Sequence, residues 1–139
     1  KKRIVVIDGM GGGVGAQIIE RLKALAGAEA EILALGANSG ATDRMLKAGA
    51  DRGASGENAI RVSAASGSLI LGPIGIVLPN GMLGEITPAM AEAVLAAPCV
   101  RILVPVQQEH FILVGLEPKP LGKLIDEAAA LAAERLAVL

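Results

Sequence analysis

Four consecutive β-branched residues, Ile4, Val5, Val6 and Ile7, form the first apolar run of the chain. A run without polar alternation predicts a strand buried on both faces, here residues 3–8. It breaks into five glycines within seven residues, Gly9-Met10-Gly11-Gly12-Gly13-Val14-Gly15, and the period then changes. Val14, Ile18, Ile19, Leu22 and Leu25 fall on one helical face, with Gln17, Glu20, Arg21 and Lys23 away from it and Gly27 as the stop. A second strand is predicted over 31–35, so the first stretch reads as a β-turn-α-β unit with a parallel crossover.

Residues 36–40 are read as a loop, 42–48 as a short helix, and Ser55-Gly56 as the start of a third helix ending at Gly67, with Ser55 capping near Asn58. A third strand is expected over 68–71. Gly72-Pro73-Ile74-Gly75 interrupts the apolar run, 76–78 is expected to be briefly extended, and Pro79-Asn80-Gly81 is a turn. Thr87-Pro88 signals a helix start, because Thr caps and Pro at the first helical position has no N–H to orphan; the helix should run to Ala97. Strands are predicted over 100–106 and 111–116, joined by polar residues 107–110. The last helix shows an apolar stripe of Leu121, Leu124, Ile125, Ala128, Leu131, Ala132 and Leu136. The expected fold is α/β: a single-domain, doubly wound, Rossmann-like and mostly parallel sheet of about five strands, with helices on both faces.

Composition narrows the function classes. The chain has 139 residues, 53% of them hydrophobic, and aromatic content of 1%, the single Phe111. That leaves no rings for stacking single-stranded nucleic acid, and with a net charge of −1 the one basic run is Lys1-Lys2-Arg3, so nucleic acid is not an expected partner. No apolar run reaches the ~18 residues of a membrane span, no signal-like segment precedes Arg3, and the lone Cys99 has no disulfide partner within the chain. A cytoplasmic location is the expectation. One His without Cys or His at ligand spacing argues against zinc, and no metal signature is visible, although carboxylate-bound magnesium stays open.

A strand turning abruptly into a helix presents unpaired N–H groups and the positive end of the helix dipole, and glycines let a phosphate come close. Three templates compete for residues 9–15. G-x-G-x-x-G/A fits only as Gly11, Gly13 and Ala16, two residues late. The turn G-x-x-x-G-x-G, which resembles that of short-chain dehydrogenases, fits as Gly9, Gly13 and Gly15 and is the better register. The P-loop fails, since Ala16 and Gln17 stand where Lys and Ser/Thr are required. The expected ligand set is Asp8, Gly9, Gly11, Gly12, Gly13, Val14 and Gly15 around phosphate, Asn38 or Ser39 near a ribose, and Gly72, Pro73, Ile74 and Gly75 walling the base. NAD or NADP is the candidate cofactor. Two features oppose it: no acidic residue follows the second strand, where Arg44 could instead meet a 2′-phosphate, and Asp8 puts a carboxylate beside the phosphate.

The chain has no Tyr, so the Tyr-x-x-x-Lys relay of short-chain dehydrogenases is absent. Candidate acids or bases are Glu57 and Glu85, with Asp8, Glu109 and His110 also at expected strand ends and Asn58 and Asn80 as orienting amides. Each has a plainer reading: Glu57 and Asn58 dress a helix start, Glu109 and His110 are solvated loop residues, and Cys99 is a small buried hydrophobe.

The stretches IDGMGGGVG, MLKAGADRGASGENAI, GPIGIVLPNGMLGEITPAMAEA and RILVPV resemble a bacterial family, domain of unknown function 3842, over almost the whole chain. The resemblance implies a small, single-domain, Rossmann-like protein of this size and brings no activity with it. It directs attention to residues 9–15, 56–58, 72–75 and 84–85. Three functions remain open: a binder of a nucleotide or phosphorylated small molecule, a small enzyme with Glu57 or Glu85 in a site shared between subunits, and an assembly module whose glycine loop only packs. A homo-oligomer, most simply a dimer, is expected in the last two.

Overall fold

The first strand divides the molecule into two cores. The structure, a computed structural model, describes residues 2–106 and 112–139. Strand β1 (Lys2–Asp8) sends Ile4 and Val6 to one face and Val5 and Ile7 to the other, and all four are fully buried. Burial of each such side chain contributes roughly 2 kcal/mol. This is why the β-branched run shows no alternation: both faces are interior.

The remaining elements are α1 (Gly13–Ala26), β2 (Ala30–Gly36), α2 (Ser39–Lys47), β3 (Arg52–Ser55), α3 (Glu57–Ser63), β4 (Leu69–Pro73), α4 (Pro88–Ala96), β5 (Val100–Val104) and α5 (Leu121–Ala137). The five strands form one all-parallel sheet in the order β3-β2-β1-β4-β5. On one face Ile18, Ile19 and Leu22 of α1, Met45 of α2 and Ile125, Ala128, Ala129, Ala132 and Leu136 of α5 pack on Ile4, Val6, Ile32, Leu69 and Leu71. On the other, Ile60 of α3 and Met90, Ala91 and Val94 of α4 pack on Val5, Ile7, Leu33, Leu35 and Ile70. The crossovers therefore change face between β1 and β4, and the crevice outside the carboxyl ends at such a switch is where open α/β sheets as a class bind their ligands.

The expected fold is observed, with local corrections. β3, Arg-Gly-Ala-Ser, carries no apolar pattern because it is a four-residue edge strand with mostly exposed side chains; its place comes from backbone pairing with β2. Residues 112–116 form no strand and are exposed, while Phe111 and residues 107–110 lie outside the described residues. The strand expected over 100–106 stops at Val104, and of residues 76–78, expected to be extended, Ile76 and Val77 belong to a 3₁₀ turn over Ile74–Val77 while Leu78 is extended. Ser55 does not cap α3, whose N-cap is Gly56; its hydroxyl donates to Thr42 Oγ1 at 2.7 Å. Thr87 does cap α4, accepting the Met90 N–H at 3.2 Å. Leu25 and Leu131 face outward instead of joining the stripes of their helices. Among the described residues no helix is long and apolar enough to cross a membrane.

Candidate functional site

The crevice is built on Asp8, the last residue of β1, whose side chain is only 4% exposed. One carboxylate oxygen accepts the Gly9 N–H and the other the Gly15 N–H, each at 2.7 Å. Asp8 thus caps the first turn of α1 from the strand and fills one of the orphan donors of that turn itself. Burial is the largest influence on the carboxyl and pushes its pKa up; the bonds from Gly15 and Gly9 pull it down, the Glu85 carboxylate adds to the rise and the Arg44 guanidinium opposes it. The sum lies above the ordinary value.

The glycines separate into two groups. A Cβ at Gly9 would stand 2.5 Å from Glu85 Oε1 and 2.7 Å from Met82 Sδ; at Gly15, 2.6 Å from Met45 Sδ; and at Gly12, 2.8 Å from the backbone of Ala41. Gly12 also has a φ of 74° as N-cap of α1. These three are buried, and packing accounts for them. Gly11 and Gly13 are different: neither has a positive φ, and the neighbour nearest an added Cβ is the Arg44 guanidinium, at 3.8 Å and 3.4 Å. Arg44 extends from α2 and makes no ion pair among the described residues. The N–H groups of Gly13 and Val14, in the first turn of α1, have no protein acceptor there either.

A second side chain reaches the turn from the far side of the crevice. The connection between β4 and α4 brings Glu85 onto the glycine loop, where Oε1 accepts the Met10 N–H and Oε2 accepts from Asn38 Nδ2 at 2.8 Å. Asn38 Nδ2 also donates to the Met10 carbonyl at 2.9 Å, and Asn38 Oδ1 caps α2 by accepting the Ala41 N–H at 2.8 Å. Both polar ends of the Asn38 side chain are thus engaged within the protein; Ser39 beside it is exposed. Under this corner Thr42 Oγ1, buried, accepts from Gly36 N at 3.1 Å and lies 3.2 Å from the carbonyls of Asn38 and Ala54, tying the ends of β2 and β3 to α2.

The other expected residues scatter. Gly72, Pro73 and Gly75 are buried, and a Cβ at Gly72 would collide with the Ile7 carbonyl oxygen and stand 2.9 Å from Ile76 Cδ1; of the four only Ile74 is partly exposed. Glu57 turns to α4, accepting from Thr87 Oγ1 at 2.6 Å. Cys99 packs beside the α3–α4 core, where burial raises its thiol pKa. Glu109 and His110 lie outside the described residues. Asn38 was read as a ligand residue, but its role as the link between Glu85 and the glycine loop carries no signal in the sequence, since Glu85 is 47 residues away. Among the described residues no three His, Cys, Asp or Glu side chains converge on a metal position.

Comparison with solved structures finds likeness to the dodecameric FMN-dependent Ubix-like decarboxylase of Escherichia coli O157:H7, at 15% identity and a TM-score of 0.44, covering 96% of this chain and 76% of that one. No curated protein matches the chain. The model of one family, domain of unknown function (DUF3842), matches residues 3–137. That near-complete match places the chain in the DUF3842 family.

Proposed function

We propose that the protein binds the phosphate of a nucleotide or dinucleotide at the turn between β1 and α1. The observation that carries this reading is the pair Gly11 and Gly13, which neither backbone conformation nor packing requires to be glycine and which keep open the space in front of Arg44. An anion there would meet the guanidinium and the N–H groups of Gly13 and Val14 at the positive end of a helix of 14 residues. NAD and NADP remain the candidate cofactors; of the wider ligand set Ser39 is exposed and Asn38 and Ile74 are partly exposed. In thermal-shift assays with NAD(H), NADP(H), ATP and FMN, at least one ligand should stabilise the wild type, by roughly 3 kcal/mol at a hundredfold excess over its Kd. Arg44→Ala and Gly13→Val should remove most of that shift. If none of these ligands stabilises the wild type, the reading is wrong.

Self-association is a second proposal, favoured by one surface. Edge strand β5 leaves Ile102 and Leu103 half-exposed beside a cleft of about 450 Å³ that is also lined by Leu116, Leu124 and Leu131. An apolar open edge of a parallel sheet is a natural seat for a second copy. Sedimentation should give a dimer that Leu131→Glu converts to monomer; a wild-type monomer at all concentrations would exclude it.

A further inference from the structure

We infer that Glu85 is the residue that reads the sugar of the ligand, and that it selects an unmodified vicinal diol; this rests on the phosphate reading above. In a doubly wound sheet an acid at the end of the second strand accepts hydrogen bonds from the ribose hydroxyls. β2 ends in Gly36, Ala37, Asn38 and Ser39 and has no such acid. The structure brings one to that corner from another part of the chain. Glu85 lies between the first residues after β1 and the first residues after β2, one oxygen on the Met10 N–H and the other on the Asn38 amide. A sugar joined to a phosphate at Gly13, Val14 and Arg44 has to pass this carboxylate on its way toward β2.

The chemistry fits a diol. A carboxylate has about four acceptor positions, and one on each oxygen is taken. Glu85 is only half-buried, and each of its oxygens keeps a further acceptor position, so a pair of neighbouring hydroxyls has two oxygens to donate to. A phosphate at the same place would instead bring like charge against the Glu85 carboxylate, with no hydroxyl to donate to it. The site should therefore refuse a 2′-phosphorylated sugar and favour NAD over NADP.

The placement of Glu85 is also built at some cost. Among the described residues every non-glycine residue with positive φ lies in the two facing loops: Met10 on one, Asn80, Met82 and Leu83 on the other. Such conformations are uncommon outside glycine and gather at ligand-binding segments. Gly9 leaves room for Glu85 Oε1 and Met82 Sδ, and Leu83, 92% exposed, gains nothing from packing.

The test compares Kd values for the ribonucleoside 5′-monophosphates of the four common bases with those for their 2′,3′-dideoxy counterparts, by calorimetry on the full chain. The wild type should prefer at least one ribonucleotide by roughly tenfold or more, the scale of hydrogen bonds to a charged acceptor. Glu85→Gln should abolish the preference, bringing each ribonucleotide to the affinity of its dideoxy counterpart in the same variant. Equal binding of each ribo and dideoxy pair by the wild type overturns the inference even if Glu85→Gln fails to fold, as does a preference that survives in Glu85→Gln. In either case the phosphate reading stands if Arg44→Ala still weakens both ligands; if no monophosphate binds the wild type, the inference falls, and the phosphate reading falls with it only if the thermal shifts with NAD(H), NADP(H), ATP and FMN are absent too.

Discussion

Gly72→Ala should lower the stability of the protein by roughly 3 kcal/mol or more, the upper end of what overpacking a core costs. Gly72 lies in β4 at the central pair of the sheet, where a Cβ would meet the Ile7 carbonyl oxygen of the neighbouring strand and the Ile76 side chain. Ile76 could yield; the backbone carbonyl of a fully buried strand cannot move without disturbing both cores. Urea unfolding monitored by circular dichroism gives the difference. Gly122→Ala is the comparison, because Gly122 lies in α5 with nothing within 4 Å of an added Cβ, and it should be neutral or stabilising by up to about 1 kcal/mol. Equal effects at the two positions would mean that the β1–β4 approach is looser than described.

Asp8→Ala should cost roughly 2–3 kcal/mol, since the N–H groups of Gly9 and Gly15 lose their acceptor in a buried place. The loss should depend on pH in a defined direction. Because burial raises the folded-state pKa of Asp8 above the unfolded value near 3.8, the folded protein holds that proton more tightly than the unfolded chain. The contribution of Asp8 is then complete below the unfolded pKa and declines as pH rises through the folded one. The stability gap between wild type and Asp8→Ala should be widest in acid, narrow as pH rises and level off. A gap that widens with pH would show that the two N–H bonds outweigh burial. In the folded variant, phosphate affinity should rise, because an internal carboxylate leaves the turn and the Gly15 N–H is released.

The sheet, the turn and four of the strands were legible because each is recorded in a local pattern: the run of residues 4–7, the change of period at residue 13, and Thr87 ahead of Pro88. β3 was not, because an edge strand whose Gly53 packs under Thr42 and Leu46 needs no apolar residues of its own. The stretch 112–116 misled for the opposite reason: Ile, Leu, Val, Gly and Leu suit a strand, and nothing in the composition reveals that these residues are exposed. At the site, the glycine run marked the turn but could not say which glycines serve packing. That distinction depends on Met45, Met82, Ala41 and Glu85, which approach from two other segments, α2 and the β4–α4 connection. The orientation of Asp8 was likewise open in the sequence, and it resolves into two bonds accepted from the N–H groups of Gly9 and Gly15.

Phosphate binding at the turn between β1 and α1 is the central proposal, and amide chemical shifts report on it directly. In nitrogen-15 correlation spectra titrated with ATP, the Gly11, Gly13 and Val14 amides should move together and saturate, and in Arg44→Ala the same amides should move little. Unchanged shifts at Gly11, Gly13 and Val14 at saturating ATP, or shifts confined to the β5–α5 edge, would contradict it.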